Sequence, residues 1–335
     1  MRNSIRILEL IRFKQWWIYK IAPALGIFLL FRAENPELVS TNDILHLLLL
    51  TVALALAATF TSVSNDLADI KSDRIAGKYN RLNGWSYQQV IVLLAGIILA
   101  GTAVCSLLPG IWQKIFYSAL WVNWILYSAE PFRAKQRGGF GPLLDSTGSH
   151  VIPCIMAILL SGFKPENHPV ATILAILWSF LWGVRGIIWH QLYDFEYDRK
   201  SSIKTMPGVI GYERTVYLSE KILFPAETGV FTALLIMMQP VLLIPFFLCL
   251  IMEVAGNYNG VIPREIVRPG GMNWLFLTDY YTLILPLSVF FLNPQSFLLP
   301  AGIIIVFFYP GYRERIFADY RILYRFWRNW KIKPE

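Results

Sequence analysis

Ten apolar runs separated by short polar loops make up most of this chain of 335 residues. A helix needs about 20 apolar residues to cross the hydrocarbon core of a bilayer. Only 16% of the residues are charged, against about a quarter in soluble domains. The predicted spans are 15–32, 43–64, 88–108, 111–129, 143–161, 169–190, 219–237, 240–255, 273–292 and 296–311. The sequence therefore predicts an all-α, polytopic transmembrane bundle of nine to ten helices.

The basic residues fall in alternate segments between these runs. Lys and Arg precede span one and follow spans two, four, six, eight and ten, whereas the other loops nearly lack them. With ten spans every basic segment lies on one side, which the positive-inside rule makes cytoplasmic, whereas nine spans would place the basic tail outside. We expect residues 1–14 to form a helix on the membrane surface, 15–311 a single transmembrane domain, and 312–335 a basic, aromatic cytoplasmic tail.

Composition argues against several other classes of protein. The formal charge of +8 is distributed between the apolar runs rather than gathered in one patch, so membrane lipid, and not nucleic acid, is the expected partner. Cys105, Cys154 and Cys249 lie in apolar segments without paired spacing. Neither a disulfide framework nor a zinc site is therefore indicated. The sequence does not indicate any protein partner.

Two acidic segments of the chain share one pattern at a constant offset of 125 residues (198 − 73 = 125). The corresponding pairs are Asn65 and His190, Asp69 and Asp194, and Asp73 and Asp198. Each segment closes the second helix of a group of four, spans one to four and five to eight. This pattern predicts a parallel internal repeat of four helices, and membrane proteins often place a site where repeats meet.

Each acidic segment puts its polar residues at i, i+4 and i+8, and so on one face, if the helix continues through it. Like charges at this spacing repel each other, and a bound cation removes the repulsion. Two such faces across a cavity suit Mg²⁺, which takes one or two carboxylates, water and phosphate oxygens. The nearby bases that could bind a diphosphate are Arg74, Lys78, Arg81, Arg133, Lys135, Arg199 and Lys204. Together they predict a metal–diphosphate site.

Some of these residues also have a structural interpretation. Acids beside bases are typical of solvated helix ends at a membrane surface. His190 is either a site residue or an interhelical hydrogen-bond partner. Asp145 either lines the cavity or is an acid favoured by the dipole at a helix N-terminus. Trp178, Trp182 and Trp189 lie at helical spacing, which favours packing or an interfacial belt over a cavity wall.

Three motifs follow spans two, four and six. They are Asn65-Asp66-x-x-Asp69-x-x-x-Asp73, Tyr127-Ser128-x-x-Pro131-x-Arg133-x-Lys135, and Asp194-x-x-x-Asp198 with Lys200 and Lys204 behind it. The first and third resemble the two Asp-rich motifs of the UbiA superfamily of intramembrane prenyltransferases, and the second resembles that superfamily's segment after helix four. The resemblance covers most of the chain.

The resemblance implies a helical bundle around a central cavity open to lipid, with Mg²⁺ as the cofactor and a polyprenyl diphosphate as the substrate. The metal ligands it implies are Asn65, Asp66, Asp69, Asp73, Asp194 and Asp198, and the catalytic residues are Asp69, Asp73, Asp194 and Asp198. It also implies that Arg133, Lys135 and Lys204 hold the diphosphate. With the residues considered above, the predicted substrate-binding set is Asn65, Arg74, Lys78, Arg81, Tyr127, Arg133, Lys135, His190 and Lys204.

Three functions fit this site. The first is ionisation of the prenyl diphosphate and transfer of the prenyl group to a small acceptor, aromatic or otherwise. The second is a terpene cyclase of the same superfamily, in which a double bond of the chain itself attacks the cation. The third is a transporter or lipid-binding protein that uses the repeat for alternating access. Two metal-type acidic clusters on the same side favour the enzymes.

Overall fold

The structure is a computed structural model. It describes residues 10–34, 40–200, 203–258 and 275–292, and the isolated positions 265, 302, 313, 320, 324 and 328. The predicted surface helix at 1–14, the tenth span at 296–311 and the tail at 312–335 lie largely outside the described residues and stay predictions.

Helices account for nearly all of the described chain. They are α1 Phe13–Arg32, α2 Thr41–Ala76, α3 Tyr87–Leu107, α4 Ile111–Ser128, α5 Phe140–Leu160, α6 Pro169–Lys200, α7 Met206–Ile210, α8 Tyr212–Met238, α9 Leu243–Tyr258 and α10 Tyr280–Leu292. Two short strands, β1 Arg137–Gly138 and β2 Lys204–Thr205, and three 3₁₀ turns at Ala134–Gln136, Pro165–Asn167 and Pro240–Leu242 complete the described elements. Apart from the short α7, these helices coincide with the first nine predicted spans. The predicted all-α bundle is confirmed.

Six of the described helices are long and apolar enough to cross a membrane, namely α2, α3, α5, α6, α8 and the segment Pro240–Tyr258 that contains α9. The outer helices α3 and α9 expose large apolar side chains, among them Val92, Leu99, Ile244 and Ile251. Contiguous apolar surface of this kind is rare on soluble proteins and suits contact with lipid. The chain is a multi-pass integral membrane protein.

Helix α2 runs from the far end of the bundle to the first acidic motif. It begins at a capping box, in which Ser40 Oγ accepts from the Asp43 amide and the Asp43 carboxylate accepts from the Ser40 amide. It ends at Gly77, whose φ of 69° is a left-handed conformation that favours glycine. The Lys78 amide then donates to the Asp73 carbonyl at 2.8 Å, so the chain turns back beside the motif.

Helices α5 and α6 approach each other closely at Gly183. A Cβ atom at this position would lie 2.4 Å from Ser146 Oγ and 2.8 Å from the His150 ring. Small residues let membrane helices pack backbone against backbone in this way. Helix α6 also packs against α8, so this helix, which carries the second acidic motif, is held from two sides.

The two short strands join the loops that follow α4 and α6. They pair in parallel, with Arg137 opposite Lys204 and Gly138 opposite Thr205. This pairing ties the loop of the second sequence motif to the loop of the third. The connections after α2, α4 and α6 therefore come together at the same end of the bundle.

Candidate functional site: an acidic cavity between two helices

A cavity of about 160 Å³ lies between the ends of α2 and α6. The predicted site residues that line it are Asn65, Asp69, Asp73, Lys78, Tyr127, Lys135, His190, Asp194 and Asp198. Its other lining residues include Arg12, Gln136, Gln191, Tyr197 and Thr205. The structure thus brings the two acidic segments, which are far apart in the sequence, to one cavity.

The first acidic face exists because α2 continues as a helix through the motif to Ala76. Asn65, Asp69 and Asp73 consequently share one face and all line the cavity. Asn80, in the loop that turns back after Gly77, donates from Nδ2 to Asp73 Oδ2 and to the Asp66 carbonyl, both at 2.8 Å. This buried amide fixes the end of the motif against its own loop.

The second acidic face follows from the continuation of α6 to Lys200. His190, Asp194 and Asp198 line the cavity from this side. His190 Nε2 lies 3.9 Å from Asp194 Oδ2, too far for a hydrogen bond. The sequence left His190 either as a site residue or as an interhelical hydrogen-bond partner. Its place on the cavity wall favours the site role. Nearby, Gln191 accepts a hydrogen bond from the Met206 amide at 3.1 Å, which holds α7 against α6.

Basic side chains from the loops reach both acidic faces. Lys135 Nζ lies 2.7 Å from Asp69 Oδ2, and Arg133 Nη2 donates to Asp69 Oδ1 at 2.9 Å and to the Ala68 carbonyl at 3.0 Å. Arg133 has a φ of 38°, an uncommon left-handed conformation for a residue with a side chain. Such strain persists only where the surrounding contacts impose it, and it is often found at functional sites.

Lys78 connects the two halves of the cavity. Its Nζ atom lies 3.0 Å from Asp194 Oδ2 and 4.8 Å from the centre of the Tyr197 ring. The lysine belongs to the loop after α2, whereas both partners lie on α6. A lysine from the first half of the chain thus pairs with one carboxylate of the second acidic face.

The Lys135 ammonium lies in a poorly hydrated part of the site. Burial lowers its pKa, and the neighbouring charge and hydrogen bond of Asp69 oppose that shift. Burial also lowers the pKa of Arg81, and the nearby Arg12 guanidinium acts in the same direction. An anion that entered the cavity would be strongly attracted to Lys135, which lines it, whereas Arg81 does not line the cavity and pairs with Asp66.

Some predicted site residues do not line the cavity. Asp66 is only 3% exposed and forms ion pairs with Arg12 and Arg81, with Arg81 Nη1 at 3.6 Å. Arg133 reaches Asp69 from the edge, and Arg74 and Lys204 have exposed side chains. The metal-binding role of Asp66 and the diphosphate-binding roles of Arg74, Arg81, Arg133 and Lys204 stay predictions, as do the catalytic, metal-binding and substrate-binding roles of the residues that line the cavity.

Sequence reasoning missed several residues that contribute to the site. Arg12 lines the cavity although it precedes the first span, and Asn80 supports the first motif from a loop. Ser128 donates a hydrogen bond to Asn65. Arg12 belonged to a basic segment that suggested only a membrane surface. Ser128 could have been found, because it lies inside the quoted second motif.

A smaller cavity of about 10 Å³ lies further along α5 and α6, and Lys20, His150, Trp178 and Trp182 are among its lining residues. The two indole rings stack at 5.7 Å between centres, so these tryptophans combine packing with a place on a cavity wall. Asp145 lines neither cavity. It lies 3.4 Å from Lys20 Nζ. This ion pair corresponds to neither of the roles expected for Asp145.

The cavity suits a hydrated Mg²⁺ ion better than a metal held by protein alone. Among the described residues, no group of three or more His, Cys, Asp or Glu side chains converges closely enough to hold a metal ion. Mg²⁺ usually takes one or two carboxylates and fills its remaining positions with water and phosphate oxygens. Asp69 and Asp73 on one face, and Asp194 and Asp198 on the other, line the cavity, and their predicted role is to supply such ligands.

The fold and the site define a multi-pass helical membrane protein of the intramembrane prenyltransferase type. The chain belongs to the UbiA prenyltransferase family, whose model matches residues 21–259. A UbiA homologue from Archaeoglobus fulgidus, whose structure was solved with GPP and Mg²⁺ bound, aligns over 90% of this chain and 99% of its own. Its TM-score is 0.64 at 15% identity, so that likeness concerns the fold.

Two characterised relatives are more similar in sequence. The bacteriochlorophyll synthase 33 kDa chain of Rhodobacter capsulatus is 26% identical, over 47% of this chain and 67% of its own length. The lycopene elongase/hydratase of Halobacterium salinarum is 30% identical, over 42% of this chain and 47% of its own length. The match thus spans about half of the second relative. The names of the two relatives point to different products.

Proposed function

We propose that this protein ionises a polyprenyl diphosphate in a Mg²⁺-dependent reaction and transfers the prenyl group to a small acceptor, releasing diphosphate. One observation carries the proposal. Two acidic helix faces line the same cavity. Lys135 pairs with Asp69 on the first face, and Lys78 pairs with Asp194 on the second. Acids alone would repel a diphosphate, and bases alone would bind any anion, so the combination favours a metal–diphosphate ligand.

The basic residues would bind the donor by exchanging partners. Lys135 and Arg133 now pair with Asp69, and Lys78 pairs with Asp194. When the aspartates take part in metal coordination, these cations are free to turn towards the diphosphate oxygens. Mg²⁺, once bound, would act as a Lewis acid that stabilises the charge on the leaving diphosphate. The allylic C–O bond then breaks, and its electron pair leaves with the diphosphate.

The prenyl cation requires an environment without water. Tyr127 lines the cavity, and its ring packs at 5.5 Å against Trp124. An aromatic face stabilises a desolvated cation by up to about 2 kcal/mol. Exclusion of water also prevents quenching of the cation before the acceptor attacks. The surrounding bundle supplies apolar surface for the isoprenoid tail.

Orientation in the membrane is a further part of the proposal. Basic residues concentrate at the N-terminus and in the loops after α2, α4 and α6, which supports a cytoplasmic location for the N-terminus and both Asp-rich motifs. Single cysteines test this when they are introduced, in a variant without the three native cysteines, at Arg74 in the last turn of α2 and at Glu166 between α5 and α6. A membrane-impermeant maleimide applied to intact cells should label only Glu166→Cys, and labelling of only Arg74→Cys would reverse the orientation.

The reaction itself is tested with purified protein in detergent. Geranyl, farnesyl and geranylgeranyl diphosphates are supplied with Mg²⁺, with and without an acceptor, and diphosphate and prenyl products are followed by mass spectrometry. A small aromatic acceptor is tried first, and lycopene, which is much larger than the proposed acceptor, is tried next because one relative is named a lycopene elongase/hydratase. Asp69→Ala and Asp194→Ala serve as inactive variants. Asp43→Ala is the matched control, since Asp43 is an ion-paired aspartate at the opposite end of α2.

Each outcome has a distinct meaning. A prenylated acceptor, lost in both site variants and retained in Asp43→Ala, supports the transferase. A cyclised hydrocarbon formed without an acceptor identifies a terpene cyclase instead. If the donor neither binds nor reacts in the wild-type protein, the metal–diphosphate hypothesis is wrong.

A further inference from the structure

The segment before the first helix places a guanidinium in the acidic cavity. Arg12 directly precedes α1 and has a left-handed φ of 50°. Its side chain lines the cavity together with Asn65, Asp69 and Lys135. The family model begins only at residue 21, so the match to the family does not include Arg12. Arg12 therefore lies in the cavity wall but outside the residues that the family model matches.

Asp66 holds this arginine in place. Arg12 Nη2 donates to Asp66 Oδ1, and Arg81 Nη1 lies 3.6 Å from the same oxygen. Asp66 is buried and does not line the cavity, unlike Asn65, Asp69 and Asp73 of the same motif. Burying a carboxylate is costly unless it is paired, and here two guanidinium groups provide the pairing at Oδ1, whereas Oδ2 is buried without a hydrogen-bond partner. The contacts of Asp66 are those of an anchor for arginines.

Arg12 retains a donor for a ligand. Its Nε atom is buried and has no hydrogen-bond partner, and an unsatisfied buried donor is unfavourable. A guanidinium also presents several N–H groups in a rigid fork that matches phosphate oxygens. Arg12 has one nitrogen on Asp66 and is a lining residue of the cavity, so a small rotation of its side chain would let it donate to an anion there.

From this geometry we propose that Arg12 is a diphosphate-binding residue and that Asp66 positions it rather than binding the metal. The inference rests on the proposed function, because the anion it requires is the prenyl diphosphate. It assigns different tasks to neighbouring aspartates of one motif. Asp69 and Asp73 face the cavity and its cation, whereas Asp66 holds Arg12 and Arg81.

The test measures binding rather than turnover. The probes are inorganic diphosphate and the S-thiolo analogue of geranylgeranyl diphosphate, whose C–S bond resists ionisation, titrated at fixed Mg²⁺ by calorimetry. Arg12→Gln should weaken binding of both by about 10- to 100-fold, as expected for loss of a charge-assisted contact. Arg12→Lys keeps the positive charge but loses the forked guanidinium, so its affinity for the probes should lie between those of Arg12→Gln and the wild type.

Arg12→Gln is expected to fold, because Arg81 remains beside Asp66. The matched control is Arg32→Gln at the other end of α1. Arg32 is likewise an arginine in an ion pair with an aspartate, Asp43 at 2.8 Å, but it is more deeply buried than Arg12 and does not line the cavity. Its loss should leave the Kd of both probes unchanged. Wild-type affinity in Arg12→Gln would overturn the assignment of Arg12.

The role of Asp66 is decided by the Mg²⁺ requirement. Asp66→Asn should weaken binding of the probes about as much as Arg12→Gln does. The Mg²⁺ concentration needed for half-maximal probe binding should stay unchanged in Asp66→Asn. In Asp69→Asn that concentration should rise. The double variant with Arg12→Gln and Asp66→Asn should bind the probes no more weakly than Arg12→Gln alone, since the two residues act as a unit. A raised Mg²⁺ requirement in Asp66→Asn would make Asp66 a metal ligand and overturn the anchoring role. If the wild-type protein binds neither probe, the proposed function fails as well.

Discussion

Helix α6 carries two charged clusters only five residues apart, and they differ in what surrounds them. From His190 onwards its polar residues line the acidic cavity. Arg185, by contrast, is fully buried and donates to Glu227 at 2.7 and 2.9 Å, to Glu265, and to the Phe276 carbonyl at 2.9 Å. Tyr281 donates to Glu227 at 3.0 Å. The Arg185 cluster thus joins α6, α8 and α10.

The difference shows that charge within a membrane domain does not by itself mark a binding site. The Arg185 cluster satisfies its guanidinium with protein partners, and Arg185 itself is fully buried. In the cavity cluster the aspartates and lysines pair with each other across open space and can exchange these partners for an incoming ligand. We therefore expect substitutions in the first cluster to affect mainly stability, and substitutions in the second mainly activity.

Replacing Arg185 should have the largest effect on stability. Arg185→Met leaves Glu227 buried and unpaired, and breaking a buried ion pair costs about 3–5 kcal/mol. The measurement is the free energy of unfolding in mixed detergent micelles. Adding Glu227→Gln to Arg185→Met should recover part of the loss, because one of the unpaired charges is then removed. Wild-type stability in the single variant would contradict the distinction between the clusters.

Removing one cavity carboxylate should instead reduce the reaction rate. Asp69→Asn or Asp194→Asn is expected to lower kcat by about 10²–10³-fold, as for the loss of a group that stabilises transition-state charge. The free energy of unfolding should stay within about 0.5 kcal/mol of wild type, as for changes outside the packed core. Asp43→Asn is the control and should keep the wild-type rate. Unfolding of both cavity variants would show that these aspartates are structural.

A methyl group at Gly183 tests whether both clusters depend on the position of α6. The added Cβ would lie 2.4 Å from Ser146 Oγ, and overpacking of this kind costs about 1–3 kcal/mol. Because α6 must shift, Gly183→Ala should lower both stability and donor affinity. Gly229→Ala on α8 is the control, since a Cβ there meets nothing within 4 Å. Unchanged donor affinity with reduced stability would show that the clusters respond independently.

The smallest effect is expected at the capping box of α2. Ser40→Ala removes the acceptor for the Asp43 amide and should lower the free energy of unfolding by about 1 kcal/mol. Ser40 is remote from both clusters, so the Kd for the donor should not change. This variant therefore shows what the loss of one hydrogen bond far from the site does to unfolding and to donor binding. A weakened donor affinity would mean that the far end of α2 influences the site.

The limits of sequence reasoning are visible at particular residues. The helical spacing of Asn65, Asp69 and Asp73 predicted a common face, and this is confirmed because the helix continues to Ala76. Arg12 and Asp66 are 54 positions apart, and no local pattern relates them. Arg185 and Glu265, separated by 80 positions, were not singled out as partners for the same reason.

The sequence alone determined the helical bundle, the approximate position of its helices, and the two acidic faces. These follow from properties of single segments, namely apolar length and side-chain periodicity. Only the tertiary structure decided which aspartates face the cavity, that Arg12 reaches it, and that the charges around Arg185 are closed off. The surroundings of these charged residues depend on where distant segments pack and on how much water remains between them. The energy of an ion pair differs greatly between a buried site and an open one.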